Sequence, residues 1–301
     1  MNKKILVTGG LGFIGSHLVE RLMNLNYSVS VIDNYAAGPG FKPPQPVKFY
    51  RQDISHPKVV DLVAKIKPRV IFHLAADNRI TSSPADVLKS NIIGPFNLLE
   101  AGKKAGIKQF IFTSSAAVYG DPAKLPINET HPNRPISAYG LSKLTGELYC
   151  GQYQSDFAAS IFRFANVYGP RQSSRSEGGV VAIFIDRLLK GQKPLIYGDG
   201  SQTRDFVFVN DVVDALTMAL KIPKKFTLNI GSNRPVTIAS LLNQIAALIE
   251  TKPVFIQKPF RPMEITNSLF SYYLAKKTLN WQPRTSLIAG LKSTIKYFQS
   301  V

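Results

Sequence analysis

Ser115 in TSSAAVYG and the pair Tyr139 and Lys143 in YGLSK put a hydroxyl, a phenol and an ammonium among the candidates for acid/base chemistry. Tyr139 and Lys143 are spaced so that on a helix they share one face, one turn apart. There the ammonium favours the phenolate and depresses the tyrosine pKa, which makes a general base usable near neutral pH. Upstream, Gly9, Gly12 and Gly15 in TGGLGFIGSHL fall where the apolar run KKILVT gives way to a helical pattern beginning at Phe13. Glycine there permits close backbone approach, and a helix N-terminus offers free N–H groups to a pyrophosphate. Asp33 closes the next run, SVSVID. A carboxylate at that point accepts hydrogen bonds from adenosine ribose hydroxyls and repels a 2′-phosphate, which favours NAD over NADP. Asp53 follows the third run and either contacts the adenine amine or caps a helix.

Positioning such groups takes strands that alternate with helices. Apolar runs at 28–33, near 47, near 69 and near 108 alternate with helical patterns at about 57–66 and 85–105, so the chain reads as right-handed βαβ units in a parallel, doubly wound sheet of Rossmann type. A tyrosine-bearing helix is expected over about 137–155, then the strand AASIFRF, then a change of character. Residues 171–208 mix a Ser/Gly-rich loop, a helix near 179–190 and short strands, and the last third carries Pro235, Pro253, Pro259, Pro262 and Pro283 between short helices. The division expected is a cofactor-binding part at 1–170, with 209–232 returning to it, and a smaller C-terminal lid for substrate built from 171–208 and 233–301.

The 301 residues, 45% hydrophobic and 19% charged, allow a sizeable core. The N-terminal apolar run is too short for a signal-peptide core or a membrane span and reads as a first strand, so a cytoplasmic protein without membrane insertion is expected. Cys150, the single cysteine, rules out an intramolecular disulfide and a cysteine metal cluster, and no metal site is expected; the thiol reads as packed and inert. The formal charge of +18 attracts anionic partners, a nucleotide substrate among them. Its cations are scattered without an aromatic-interleaved motif, which reads as a solvated basic surface and not as a dedicated nucleic-acid site.

Beyond these residues, HLAA at 73–76, Asn91 in NIIGPFNLLEA, FANVYGPRQ at 164–172, GDGSQTRDFVFVNDVVDAL at 198–216 and NWQP at 280 follow in order. With the glycines, TSSAAVYG and YGLSK, the chain resembles the extended short-chain dehydrogenase/reductase family nearly end to end, particularly its nucleotide-sugar epimerases and dehydratases. The resemblance implies Tyr139 as base, Lys143 on the nicotinamide ribose, Ser115 on the reacting oxygen and Asn91 supporting them from the helix beneath. It implies NAD contacts from Gly9, Gly12, Phe13, Ile14, Gly15, Asp33, Asn34, Asp53, Ile54, Leu74, Ala75, Ala76, Asn91, Ser114, Tyr139, Lys143 and Phe164. For a UDP-sugar it implies Asn166, Arg204 and Arg261 at the diphosphate with Gly179 and Val180, Leu195 to Tyr197 at the uracil, and Glu264 near the ribose. Such proteins usually pair as homodimers through two helices, here about 85–105 and 137–155.

Dehydratases of that family carry Asp-Glu directly after the serine or threonine, where this chain has Ala116 and Ala117. Alanine has no titratable group, so the dehydration machinery is missing, and decarboxylases, which tend to carry a glutamate there, are disfavoured too. The expectation is a 4-epimerase acting through a transient 4-keto sugar. A specialised dehydratase, decarboxylase or C5 epimerase stands second, and a non-catalytic NAD- or RNA-binding relative third. Ser268 stands where relatives carry either a bulky tyrosine or a small residue; a small one leaves room for a 2-acetamido group. FSYYLAKK at 270–277 departs from the usual Asp-x-Ser-Lys.

Overall fold

The computed structural model describes residues 4–36, 41–78, 82–175, 179–260 and 265–301. Seven parallel strands make the main sheet: β1 (Lys4–Thr8), β2 (Ser28–Asp33), β3 (Lys48–Arg51), β4 (Val70–His73), β5 (Gln109–Ser115), β6 (Ala158–Phe164) and, from much later in the chain, β10 (Phe226–Ile230). Their order is β10-β6-β5-β4-β1-β2-β3. Between the first six run α1 (Phe13–Asn24), α2 (Lys58–Ile66), α3 (Pro84–Leu88), α4 (Gly94–Ala105) and α5 (Ala138–Gln152). The doubly wound α/β class expected from the alternation is the one observed.

The central strands are mostly apolar on both sides because both sides are covered. Ile5 and Val7 of β1 face one core and Leu6 the other; Ile111 and Phe110 divide β5 in the same way. One core receives Leu18, Val19 and Leu22 of α1, and the other Val59 and Val63 of α2 with Leu98 and Leu99 of α4. Period-two alternation thus feeds two layers at once.

The helix expected over 85–105 is broken. A π-helical turn, Lys89–Ile93, separates α3 from α4. Pro95 stands in the first turn of α4; its ring nitrogen has no hydrogen to give the preceding turn, and the wider turn accommodates that loss. The same turn carries Asn91 inward, where it is 2% exposed.

Downstream, β7 (Asn166–Tyr168), α6 (Val180–Leu189), β8 (Leu195–Tyr197), β9 (Thr203–Phe208), α7 (Val209–Met218), β11 (Pro235–Thr237), α8 (Ile238–Ile249), β12 (Ile256–Lys258), α9 (Tyr273–Leu279) and α10 (Leu287–Gln299) complete the chain. Two small sheets form here, β11-β9-β7 and β12-β8. Helices α8 and α10 are full-length and not the short pieces that the prolines imply: Pro235 and Pro253 flank α8 without entering it. Their apolar stripes meet α6 in a third core of Phe184, Ile185, Leu241, Ile245, Leu291 and Ile295.

Trp281 of NWQP ties this later part to α7: its indole Nε1 donates to the Asp211 carbonyl at 2.8 Å, and the side chain is 1% exposed. Trp281→Phe removes that donor and leaves a small void. It should cost about 1–3 kcal/mol, read from urea unfolding followed by far-UV circular dichroism.

Candidate active site

The glycine turn is built by contact. Gly9 has φ +70°, and a Cβ on it would lie 2.6 Å from the Ala75 amide nitrogen. A Cβ on Gly15 would sit 2.0 Å from the Gly9 carbonyl oxygen. These two glycines let β1, α1 and the end of β4 touch. Gly12 differs: the nearest atom to its Cβ would be the Gly9 carbonyl oxygen at 3.4 Å, so internal packing does not require it to be bare. Gly12 caps α1 without any side-chain hydrogen bond. The amides of Phe13 and Ile14 in the first turn therefore have no capping side chain, as an anion-binding helix start needs.

Beside that turn lies a cavity of about 320 Å³ lined by Asp33, Asn34, Asp53, Ile54, Ala75 and Ala76, with Asp77 and Ser90. The Asp33 carboxylate accepts from the Leu11 amide at 3.1 Å and the Tyr35 amide at 2.9 Å, which fixes its orientation while leaving further lone pairs. Asp53 does not cap a helix, since α2 starts at Lys58. It accepts from the Ser55 amide at 2.8 Å and from Asn34 Nδ2 at 2.9 Å. Leu74, also expected at this site, is half-buried against the core; its amide donates to the Thr8 carbonyl, which joins the ends of β4 and β1. Ser173 and Arg175 also line the cavity. Sequence spacing carries no signal for them, because they arrive from a loop remote in the chain. A bare Gly12 at an uncapped helix start, leading to a cavity with an oriented carboxylate, fits an adenine dinucleotide.

The second half of the site stands at the C-terminal end of β5. Helix α5 starts at a Ser137 cap, whose Oγ accepts from the Gly140 amide at 3.1 Å. This start puts Tyr139 and Lys143 on the buried face. Lys143 Nζ lies 5.7 Å from the Tyr139 ring centroid and 5.2 Å from that of Phe112, and donates to the Thr113 carbonyl at 2.9 Å. Ser115 hydrogen-bonds the Tyr139 side chain. Its Oγ also accepts from the Ala117 amide at 3.2 Å, holding the 3-10 turn Ala116–Val118.

One expectation is corrected here. Tyr139 is not depressed by its lysine: burial pushes its hydroxyl up to about 12, with the Ser115 hydrogen bond opposing. Burial likewise pushes Lys143 down to about 8, with the Glu147 carboxylate opposing. A neighbouring ammonium favours a phenolate, but desolvation acts on both groups and outweighs it here. Cys150 is packed as expected, and burial pushes its thiol up.

Asn91 accepts from the Asp77 amide at 2.7 Å and donates to the Asp77 carbonyl at 2.8 Å and to Ser142 Oγ at 3.1 Å. It joins the loop after β4 to α5 next to Lys143. Ser114 faces inward and gives its proton to Glu147 Oε1 at 2.5 Å. Glu147 also receives Arg163 through two bonds, Nε at 2.9 Å and Nη2 at 2.6 Å. Phe164, at the end of β6, is buried in the first core. Sequence reading missed Glu147, Arg163 and Thr113. The one available signal was Glu147 a turn beyond Lys143 on the same helical face.

The groups expected at a nucleotide substrate come from the later elements. Asn166 in β7 is exposed and registers with Phe206 of β9, beside Arg204 on that strand. Arg204 Nη1 donates to the Thr203 carbonyl at 2.9 Å and the Thr266 carbonyl at 3.4 Å. Gly179 caps α6 and packs on Gln172, and Val180 opens that helix. Leu195 and Tyr197 border β8, paired to β12. Gln202 donates to the Tyr197 carbonyl at 2.7 Å, and its Oε1 is buried without a described partner. Ser268 is 5% exposed and registers beside Thr203. Arg261 and Glu264 lie outside the described residues. No described group of His, Cys, Asp and Glu could hold a metal ion, and no described helix is long and apolar enough to cross a membrane.

A Rossmann sheet with a dinucleotide cradle at one strand end, and a half-buried Ser115 and Tyr139 beside a buried Lys143 at another, defines an NAD-dependent redox-type enzyme. Residues 5–231 match the NAD dependent epimerase/dehydratase family, and the chain belongs to it. It is similar to the UDP-glucose 4-epimerase of Mycolicibacterium smegmatis, 36% identical and covering 99% of each chain. Among solved structures it superposes on the Thermotoga maritima UDP-glucose 4-epimerase with UDP-glucose at a TM-score of 0.95, 38% identity and 99% of each chain. It also superposes on the Methanobrevibacter ruminantium UDP-N-acetylglucosamine 4-epimerase in complex with UDP-N-acetylmuramic acid, TM-score 0.93, 30% identity and 99% of each chain. UDP-glucuronic acid decarboxylases and a hexosamine 5,6-dehydratase are also among its matches.

Two outcomes follow from this geometry. Gly12→Ala should cost at most ~1 kcal/mol in fold stability yet weaken NAD ~10-fold or more by overlap, whereas Gly15→Ala should lose ~3 kcal/mol because its Cβ meets backbone; calorimetric NAD titration and thermal melts separate them. Lys143 carries its charge below about 8 and loses it above, so the alkaline limb of kcat/KM should fall with a midpoint near that value, read from a pH–rate profile.

Proposed function

We propose that the protein inverts C4 of a UDP-hexose, accepting UDP-glucose and UDP-galactose and also the corresponding N-acetylhexosamine pair. The observation that carries this reading is the turn after Ser115, where Ala116 and Ala117 place methyl groups at the positions that would need an acid and a base for dehydration. Bound NAD supplies a hydride acceptor that returns the hydride within the same turnover. The chain's own residues then have three tasks. Tyr139 takes the C4 hydroxyl proton in its phenolate form and later gives it back; burial opposes that form, and the Lys143 ammonium beside the ring would favour it. Ser115 hydrogen-bonds the same oxygen, and Lys143, held by the Thr113 carbonyl, keeps positive charge over the tyrosine ring. Asn166, Arg204, Gly179 and Val180 hold the diphosphate and Leu195 to Tyr197 the uracil; the family resemblance assigns Arg261 to the diphosphate and Glu264 to the ribose. The small Ser268 leaves room beside the sugar for an acetamido group. Residues 171–208 and 233–301 form the substrate part over the cofactor part.

The enzyme acts as a homodimer in the cytoplasm. Helix α5 exposes Leu141 and Leu148 at 57% and 64%, and Phe96 of α4 meets Tyr149 of α5 at 5.7 Å on the same apolar surface. A second copy covers it by helix packing. Leu148→Glu should leave a monomer by light scattering.

Proton NMR with UDP-glucose and UDP-N-acetylglucosamine in heavy water tests the reaction. The expected result is C4 inversion of both sugars with no deuterium at carbon; label entering at C5, or turnover of UDP-glucose alone, would count against the reading in full or in its acetamido part. Tyr139→Phe should lower kcat about 10²–10⁴-fold while NAD affinity changes little.

A further inference from the structure

The charge of +18 has an arrangement that the linear sequence hides. All strands of the main sheet are parallel, so their N-terminal ends share one edge, opposite the edge that holds the cofactor and Tyr139. Across that edge, Lys224 and Lys225 precede β10, Lys108 precedes β5, Arg69 precedes β4, and Lys4 and Lys48 open β1 and β3. Backbone bonds put three of them side by side: Arg69 N donates to the Lys4 carbonyl at 2.9 Å, and Lys108 N to the Arg69 carbonyl at 2.8 Å. Seven strands at ~4.8 Å spacing make the row roughly 29 Å long.

The connecting helices run back against the strands and end at this same edge. Lys65 lies in the last turn of α2, and Lys103 and Lys104 in that of α4. A helix C-terminus accounts for cations of that kind by its dipole. It does not account for those that open strands. Ion pairing on this edge is sparse: Lys103 meets Asp156 and Lys104 meets Asp61, both at 3.4 Å. Lys48, Arg69, Lys108, Lys224 and Lys225 are exposed and make no ion pair with a described carboxylate.

We propose that this N-terminal strand edge docks the enzyme on an anionic phospholipid surface, with the catalytic cleft facing away into solvent. Charge complementarity carries the choice of partner: a row of cations along one edge faces an array of phosphate headgroups, and each cation near such a surface adds attraction. Leu25, in the turn between α1 and β2 at the same edge, is 47% exposed and offers an apolar contact at headgroup depth. The exposed aromatic side chains, Phe96, Tyr149, Phe255, Phe260 and Tyr273, lie on other elements. Among the described residues this edge has the half-buried rings of Tyr27 and Phe226 and no exposed aromatic platform for successive nucleic-acid bases, so lipid is favoured over single-stranded RNA.

Flotation of the full-length protein with vesicles of phosphatidylglycerol and phosphatidylcholine in equal parts tests the proposal. Binding should be absent on pure phosphatidylcholine and lost in high salt. The triple variant Lys108→Gln, Lys224→Gln, Lys225→Gln should lower vesicle partition about 100-fold with circular dichroism and NAD affinity unchanged. A control triple on the later part of the chain, Lys193→Gln, Lys252→Gln, Lys292→Gln, should change it less than about threefold. Equal binding to neutral vesicles, or equal loss in both triples, would overturn the proposal, the second because net charge alone would then explain the attraction. Tighter binding of the wild type to an RNA than to the anionic vesicles at the same salt would overturn the choice of lipid.

Discussion

The site depends on one buried ion pair, Glu147 with Arg163. Both side chains are 6% exposed, and the guanidinium reaches the carboxylate through two nitrogens. Such a pair repays its desolvation only when the remaining hydrogen-bonding capacity is used. Here Ser114 adds a third bond to the carboxylate, and the Tyr119 hydroxyl accepts from Arg163 Nη1 at 2.8 Å and donates to Asn229 Oδ1 at 2.7 Å. This network pins α5 to β5, β6 and β10 together. It therefore sets where Tyr139 and Lys143 stand, although neither belongs to it.

The same burial explains the electrostatics. Desolvation drives the tyrosine and the lysine each toward its neutral form, and proximity alone does not reverse that. Glu147, one turn beyond Lys143, opposes the loss of the ammonium and so connects the structural network to the reacting groups. The lysine's position is fixed against Phe112 and the Thr113 carbonyl.

Parallel strands give the molecule two unlike edges. At the C-terminal edge the backbone turns into helix starts, loops and the glycine contacts, and the functional groups collect there, as is general for open α/β sheets. At the N-terminal edge, helix ends and strand beginnings gather cations from segments far apart in the chain. The pairs Lys4–Arg69 and Arg69–Lys108 are neighbours only because β1, β4 and β5 are neighbours, and no local pattern reports it.

Local chemistry made much of this legible. The alternation of apolar runs with helical patterns determined the α/β class, because a strand buried on both faces is mostly apolar. Gly9, Gly12 and Gly15, Asp33, and the Tyr139–Lys143 spacing were readable because each follows from a short-range rule of turn or helix geometry. The π turn around Asn91 was not readable as such, since a proline within a helical pattern signals a break without its form. Full-length α8 and α10 were under-read because Pro235 and Pro253 flank a helix as readily as they interrupt one. By itself, then, the sequence determined the fold class and singled out the glycine turn and Ser115, Tyr139 and Lys143 as the candidates for the chemistry. Only the tertiary structure decided that Tyr139 is raised and not lowered, that Glu147 and Arg163 hold the site, and that the cations form a row. Those three depend on desolvation and strand order, which exist only once distant segments are packed together.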